Sequence, residues 1–409
     1  MNIDAVVIIC VNKKVKTMSY MKKPISLVIL ALLVFAQFGM ARTSNPLPWV
    51  GTWAAAAEYA AGNDLPKTSL AGNSMQQVVQ VSLGGKSLEL QLSNEFSRQP
   101  MEIKAVYINN VGDSKSARRL TFSKKKSVVI APGAAVYSDE CSYDLQPLQR
   151  LQITICYGSQ VPENITSHRG SRTTSYIYKG EIKPGVSAQP IERLDHWYNI
   201  SKINVRSDAK AVAILGNSIT DGRGSTTNEQ NRWPDFMAHA LDGTVGVLNL
   251  GIGGNCVVEG GISEPALKRF SRDILGQKGV TTVVIFEGVN DIGTSGGRYE
   301  HVADTLCKAY QQLAAMAHDK GCRVVGATIT PFKGNGWYSY FHEAVRQTVN
   351  EWIRSAQCFD WVIDFDQLVA DPADTQRLKA NYSDDWLHLN PAGYELMGRH
   401  AAEQYKNKN

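Results

Sequence analysis

The sequence predicts two domains, an all-β sandwich followed by an α/β domain built on a parallel sheet. Three observations carry this reading. Between about Trp49 and Asp208, apolar and polar residues alternate in short runs broken by turns, the period of half-buried strands. After about Ala209, apolar runs alternate with segments of helical period, the pattern of a parallel sheet covered by helices on both faces. The 409 residues, 43% hydrophobic and 20% charged, are ample for such cores and exclude a disordered or fibrous chain.

Near the start, "MKKPISLVILALLVFAQFGMA" joins Lys22 and Lys23 to an apolar run from Ile25 to Phe38 and to the small residues Gly39 and Ala41. That is the form of a cleaved secretion signal, so residues 1–41 are expected to be a leader, with translation starting at Met18 or Met21. Export to the periplasm or the extracellular space follows. No later segment is long and apolar enough to span a bilayer, so no stable membrane insertion is expected after cleavage.

The formal charge of +5 overstates the mature balance. Residues 1–41 hold five lysines (13, 14, 16, 22, 23) and Asp4 out of 43 basic and 38 acidic residues, leaving 38 and 37. A nearly neutral chain gives no reason to expect nucleic acid as a partner. Beyond Cys10 stand six cysteines (141, 156, 256, 307, 322, 358), which allow fifteen disulfide pairings or six free thiols. Their spacing is not that of a metal site, and no metal is expected.

Residues 46–206 are assigned to the sandwich. Its strands are "MQQVVQVSL", "SLELQLS", "IKAVYINNV", "SVVIAPG", "LQITICYG", "TTSYIYKG" and "YNISKINVR". In "SLELQLS", Leu88, Leu90 and Leu92 share one face and Glu89 and Gln91 the other. Lys124, Lys125 and Lys126 are expected in a solvated hairpin turn. Residues 209–409 form the second domain, with strands in "AVAILG", "GVLNLG", "TTVVIFEG", "RVVGATIT" and "WVIDF" and helices in "WPDFMAHAL", "ADTLCKAYQQLAAMAH" and "HEAVRQTVNEWIR". On the long helix Ala303, Leu306, Tyr310, Leu313 and Ala317 form one stripe and are core.

In open α/β sheets chemistry sits beyond the carboxyl ends of the strands. Four such places carry suggestive residues. "AVAILGNSITDG" ends a strand on Gly216, places Ser218 at a helix start and turns again at Gly222. "NLGIGGN" offers a bare backbone N–H at Gly254 for an oxyanion, and its dinucleotide-binding reading fails because Cys256 replaces the third glycine. "FEGVNDIG" presents Asn290, whose amide can donate to a developing negative charge. "DDWLHLNPAGY" sets Asp385 three residues before His388, a spacing that brings carboxylate to imidazole on one turn. Singly, each also reads as an ordinary cap, turn, strand end or structural histidine.

In this order the four blocks resemble the SGNH/GDSL hydrolase superfamily over roughly residues 209–404. The resemblance implies a flavodoxin-like three-layer α/β/α domain, preceded here by a jelly-roll-like sandwich. It implies Ser218 as nucleophile, His388 as general base and Asp385 as the acid orienting it. The backbone N–H groups of Ser218 and Gly254 and the Asn290 side chain would form the oxyanion hole, with no cofactor. The G-D-S-L block reads Gly216-Asn217-Ser218-Ile219, so an amide replaces the carboxylate beside the nucleophile, and altered hydrogen bonding there is expected. Asp384 fits the acid position less well.

"WVGTWAAAAEYA" and "VVQVSLGGKSLELQLSNEF" look like the β-rich domain of secreted two-domain members, often esterases of acylated carbohydrates. The resemblance thus implies a serine esterase removing acyl, above all acetyl, groups from carbohydrate. Trp233, Trp337, Tyr338, Tyr340 and Trp386 lie near the strand ends, with Trp386 and Trp337 the candidate substrate contacts. The alternatives are a lipid-directed esterase and a non-catalytic glycan-binding protein, the second opposed by the intact Ser218, Asn290, Asp385 and His388 set.

Overall fold

The alternating segments of the first half form antiparallel sheets in the computed structural model, which describes residues 46–408. The expected leader lies outside the described residues. One sheet has the path Trp49–Ala54, Ile200–Arg206, Gly85–Ser93 and Ala135–Tyr137, with Cys141–Leu145 also on Gly85–Ser93. A seven-stranded sheet is centred on Ser74–Gln80, Arg150–Tyr157 and Met101–Asn110, and a small third sheet pairs Glu58–Ala60, Ile165–His168 and Trp197–Tyr198. Period-two burial brings Leu88, Leu90 and Leu92 of the first sheet into one apolar core with Met75, Val79, Ile153 and Ile155 of the second.

The second half is a five-stranded parallel sheet in the order Val245–Gly251, Lys210–Gly216, Val280–Phe286, Arg323–Ala327, Trp361–Ile363. Numbered along the chain this is 2-1-3-4-5, the flavodoxin-like order. Strand Lys210–Gly216 is buried on both faces, as its continuous apolar run requires. Ala211, Ala213 and Leu215 pack with helix residues Leu306, Leu313 and Val349, whereas Val212 and Ile214 pack with Met237, Tyr394 and Met397. Helices Tyr299–His318 and Tyr340–Ser355 thus cover one face, and Trp233–Ala240 and Pro391–Lys408 the other.

From Leu47 onward the chain packs as one compact unit, and the core of the antiparallel half is continuous with one face of the parallel sheet. At the junction Gly51 N–H donates to Lys278 O at 2.8 Å, and a Cβ at Gly51 would lie 2.8 Å from a Leu248 methyl. Glu89, on the outward face of "SLELQLS", is only 6% exposed, because Asn204 (2.7 Å) and Lys278 of the α/β half (2.5 Å) both donate to it. The Lys124–Lys126 turn is exposed, with Ser123 and Lys124 in the left-handed region. Cys141, Cys156, Cys256, Cys307, Cys322 and Cys358 are all free thiols. Among the described residues no helix is long and apolar enough to cross a membrane.

Candidate active site

Strand order reverses on either side of Lys210–Gly216, and the loops after the first three parallel strands meet at that point. Asn217 caps the helical turn Ser218–Asp221, its Oδ1 accepting from Ile219 N–H at 3.0 Å. Gly222 ends the turn at φ 100°, where a side chain would also run into Arg232. Ser218, 7% exposed, is thereby held in the lining of a cavity of about 300 Å³.

The C-terminal block reaches the same cavity. His388 Nε2 lies 2.8 Å from Ser218 Oγ, and His388 Nδ1 lies 2.7 Å from Asp385 Oδ2. A carboxylate only accepts, so Nδ1 carries the proton and Nε2 is left to accept from the serine hydroxyl. Asp385 Oδ1 also accepts the N–H groups of Leu387 (3.0 Å) and His388 (2.8 Å), which fixes the turn. Burial works to raise the Asp385 pKa, but the bonds from His388 outweigh it and hold the carboxyl below its ordinary value. Burial lowers the His388 pKa; Asp385 opposes this, and the guanidiniums of Arg223 and Arg172 add to the lowering. Asp384 is exposed and takes no part in the series.

Gly254 and Asn290 line the same cavity. Asn290 Nδ2 donates one hydrogen to Asn255 O at 2.7 Å, which aims the amide and leaves its second hydrogen uncommitted. Asp291, the neighbour of Asn290, accepts from Val257 N–H at 2.9 Å and Val258 N–H at 3.3 Å and so ties the glycine loop to the third strand's turn. Asn217 Nδ2 donates to Glu287 Oε2 at 3.2 Å. Burial raises the Glu287 pKa to about 8, against the opposing charge of Arg269. The altered hydrogen bonding expected from Asn217 is therefore a link to a buried carboxyl.

Of the aromatic candidates, Trp337 lines the cavity. Trp386 is not among the residues lining it. In the turn that carries Asp385 and His388, Trp386 takes φ 62°, and the Arg377 guanidinium lies 4.1 Å from its ring centre. Trp233 is fully buried core, Tyr338 bonds Gln376 at 2.6 Å, and Tyr340 is 83% exposed.

The β-rich half supplies a wall that the sequence did not reveal. Glu58, Arg169, Gly170 and Arg172 line the cavity. A Cβ at Gly170 would sit 1.8 Å from Asp221 Oδ2, so this loop lies directly on the Ser218–Asp221 turn. His168 donates from Nε2 to Asp221 Oδ1 (3.0 Å) and from Nδ1 to Ala56 O (2.9 Å). Both ring nitrogens face oxygen acceptors, which favours the charged ring; burial disfavours that charge, but Asp221 and Glu58 outweigh it and raise the pKa.

Residues 214–396 match the GDSL-like Lipase/Acylhydrolase family. No curated protein matches the sequence. Among solved structures, a GDSL-like lipase from Bacteroides thetaiotaomicron VPI-5482 is 22% identical, covering 49% of this chain and 89% of its own, with a TM-score of 0.39. Est24, a carbohydrate acetylesterase from Sinorhizobium meliloti, is 15% identical over 48% of this chain and 99% of its own, with a TM-score of 0.39. Carrying the four blocks in order on a 2-1-3-4-5 parallel sheet, residues 214–396 belong to the GDSL-like lipase/acylhydrolase family, within the SGNH hydrolase superfamily.

Proposed function

We propose that this chain is an exported serine esterase that removes small acyl groups, acetyl first among them, from carbohydrate. The observation that carries the reading is the series Ser218 Oγ, His388 Nε2, His388 Nδ1, Asp385 Oδ2, with its two contacts of 2.8 and 2.7 Å opening on a cavity. Ser218 Oγ attacks the ester carbonyl carbon while His388 Nε2 takes its proton. The carbonyl oxygen becomes negative and is received by the N–H groups of Ser218 and Gly254 and the free amide hydrogen of Asn290. The C–O bond to the alcohol then breaks, and His388 returns the proton to the departing oxygen. Water, deprotonated by His388, attacks the acyl-enzyme, releasing the acid and restoring Ser218. Asp385 stabilises the imidazolium in both halves of the cycle.

A cavity of about 300 Å³ walled by arginines suits a short acyl group on a polar alcohol, not a fatty chain. Trp337 supplies an aromatic face of the kind that stacks on sugar rings. Export rests on the leader-like stretch at residues 21–41. The test is acetate release from acetylated xylan, pectin and oligosaccharides by the wild type, Ser218→Ala and His388→Ala. Loss of at least about 10³-fold in kcat/KM is expected in both variants. Equal release by wild type and Ser218→Ala would refute the reading, and a preference for long acyl chains would turn it toward lipid esters.

A further inference from the structure

Three arginines line the cavity, and only one is neutralised at close range. Arg169 is held by Glu58, its Nη2 at 2.7 Å and Nε at 3.1 Å from Oε1, with Ser263 Oγ bridging both residues. Arg172 meets a carboxylate only at 3.9 Å, through Nη2 to Asp221 Oδ2, and its buried Nε has no hydrogen-bond partner. The Arg223 side chain has no carboxylate partner among the described residues.

Both are nevertheless fixed at the backbone. Arg172 sits at φ 48°, a left-handed conformation uncommon for a side-chain-bearing residue, and its carbonyl accepts from Asn228 N–H at 2.9 Å. The Asn228 side chain in turn bonds Thr174 N–H (2.8 Å) and Thr174 Oγ1 (3.1 Å). Arg223 donates its N–H to Ser218 O (2.9 Å), and its carbonyl accepts from Tyr394 OH (2.5 Å). The carboxylates of the wall, Glu58 and Asp221, are buried and already in hydrogen-bond contact with Arg169 and His168, respectively. The wall therefore keeps a surplus of positive charge, carried by forks shaped for a planar anion.

Arg172 and Arg223 line the same cavity as Ser218, His388, Gly254 and Asn290, and His388 is the group that would hand a proton to the departing alcohol in the proposed reaction. From this arrangement we infer that Arg172 and Arg223 bind a carboxylate carried by the alcohol portion of the ester, so that the substrate is an O-acylated uronate residue. This rests on the esterase reading above and names its substrate class. Binding removes an unpaired buried Nε and a local charge surplus, so a free acid is favoured over its neutral counterpart.

The test compares O-acetylated oligogalacturonide with the same oligomer methyl-esterified at C6, measuring acetate release. The wild type is expected to favour the free acid by tenfold or more in kcat/KM, with the ratio shrinking as salt is raised. Arg223→Gln and Arg172→Gln are each expected to cut the ratio at least threefold. Arg223 is exposed, so its variant reports on recognition even if the Arg172 variant folds poorly. A wild-type ratio near one, or a ratio unchanged in Arg223→Gln, overturns the inference. Ser218-dependent hydrolysis of nitrophenyl acetate with neither oligomer cleaved also overturns it and leaves the esterase standing. Absence of Ser218-dependent hydrolysis on any ester removes both.

Discussion

The charges around His388 decide the pH at which it can serve as a base. Only neutral imidazole accepts the Ser218 proton, so kcat/KM rises with pH through the His388 pKa, and burial together with Arg223 and Arg172 holds that pKa below the ordinary value of about 6.5. Replacing either arginine by glutamine removes a positive neighbour, makes the imidazolium easier to form and moves the acid limb to higher pH. The pH profile of nitrophenyl acetate hydrolysis checks this, and an unmoved limb in both variants would contradict it. At this scale the meeting of Ser218, Gly254, Asn290 and His388 at one cavity, with Asp385 bonded to His388, was legible because the four blocks stand at strand ends. Arg169, Arg172 and His168 were not, since nothing in "SHRGSRTTSY" marks which loop residues will meet a serine some fifty positions away.

The turn after the first parallel strand has a distinctive support. Asn217 both caps the helical turn and donates to Glu287. Glu287 keeps its proton to about pH 8 in the fold but only to about 4.5 as an ordinary carboxyl, so the unfolded chain binds fewer protons between those values and stability falls as pH rises across them. Asn217→Asp would remove the donor and set a second carboxylate against the first, at a cost of about 1–3 kcal/mol. Thermal melting from pH 5 to 9 is expected to show the gap to wild type widening with pH; a constant gap would refute the electrostatic account. Most elements were legible as well, because period-two and helical patterns survive wherever one face is buried. The strand Glu58–Ala60 was not, since "AAAAEYAA" has no alternation, and its conformation comes from pairing with Ile165–His168.

For the molecule as a whole, the sequence indicated two architectures but not their shared core. Leu88 and Leu90 of the antiparallel half belong to the same apolar cluster as Leu313 and Val349 of the α/β half. The expected consequence is one cooperative thermal transition with matching calorimetric and van't Hoff enthalpies. Two resolved transitions would show that the halves melt independently. Gly170 narrows the relationship further, because any larger residue there would collide with Asp221, one helical turn beyond Ser218. An engineer recombining this chain with a homologue would therefore have to graft the 168–172 loop and the 216–222 turn as a matched set. Exchanging either by itself would wedge the serine out of line with its base.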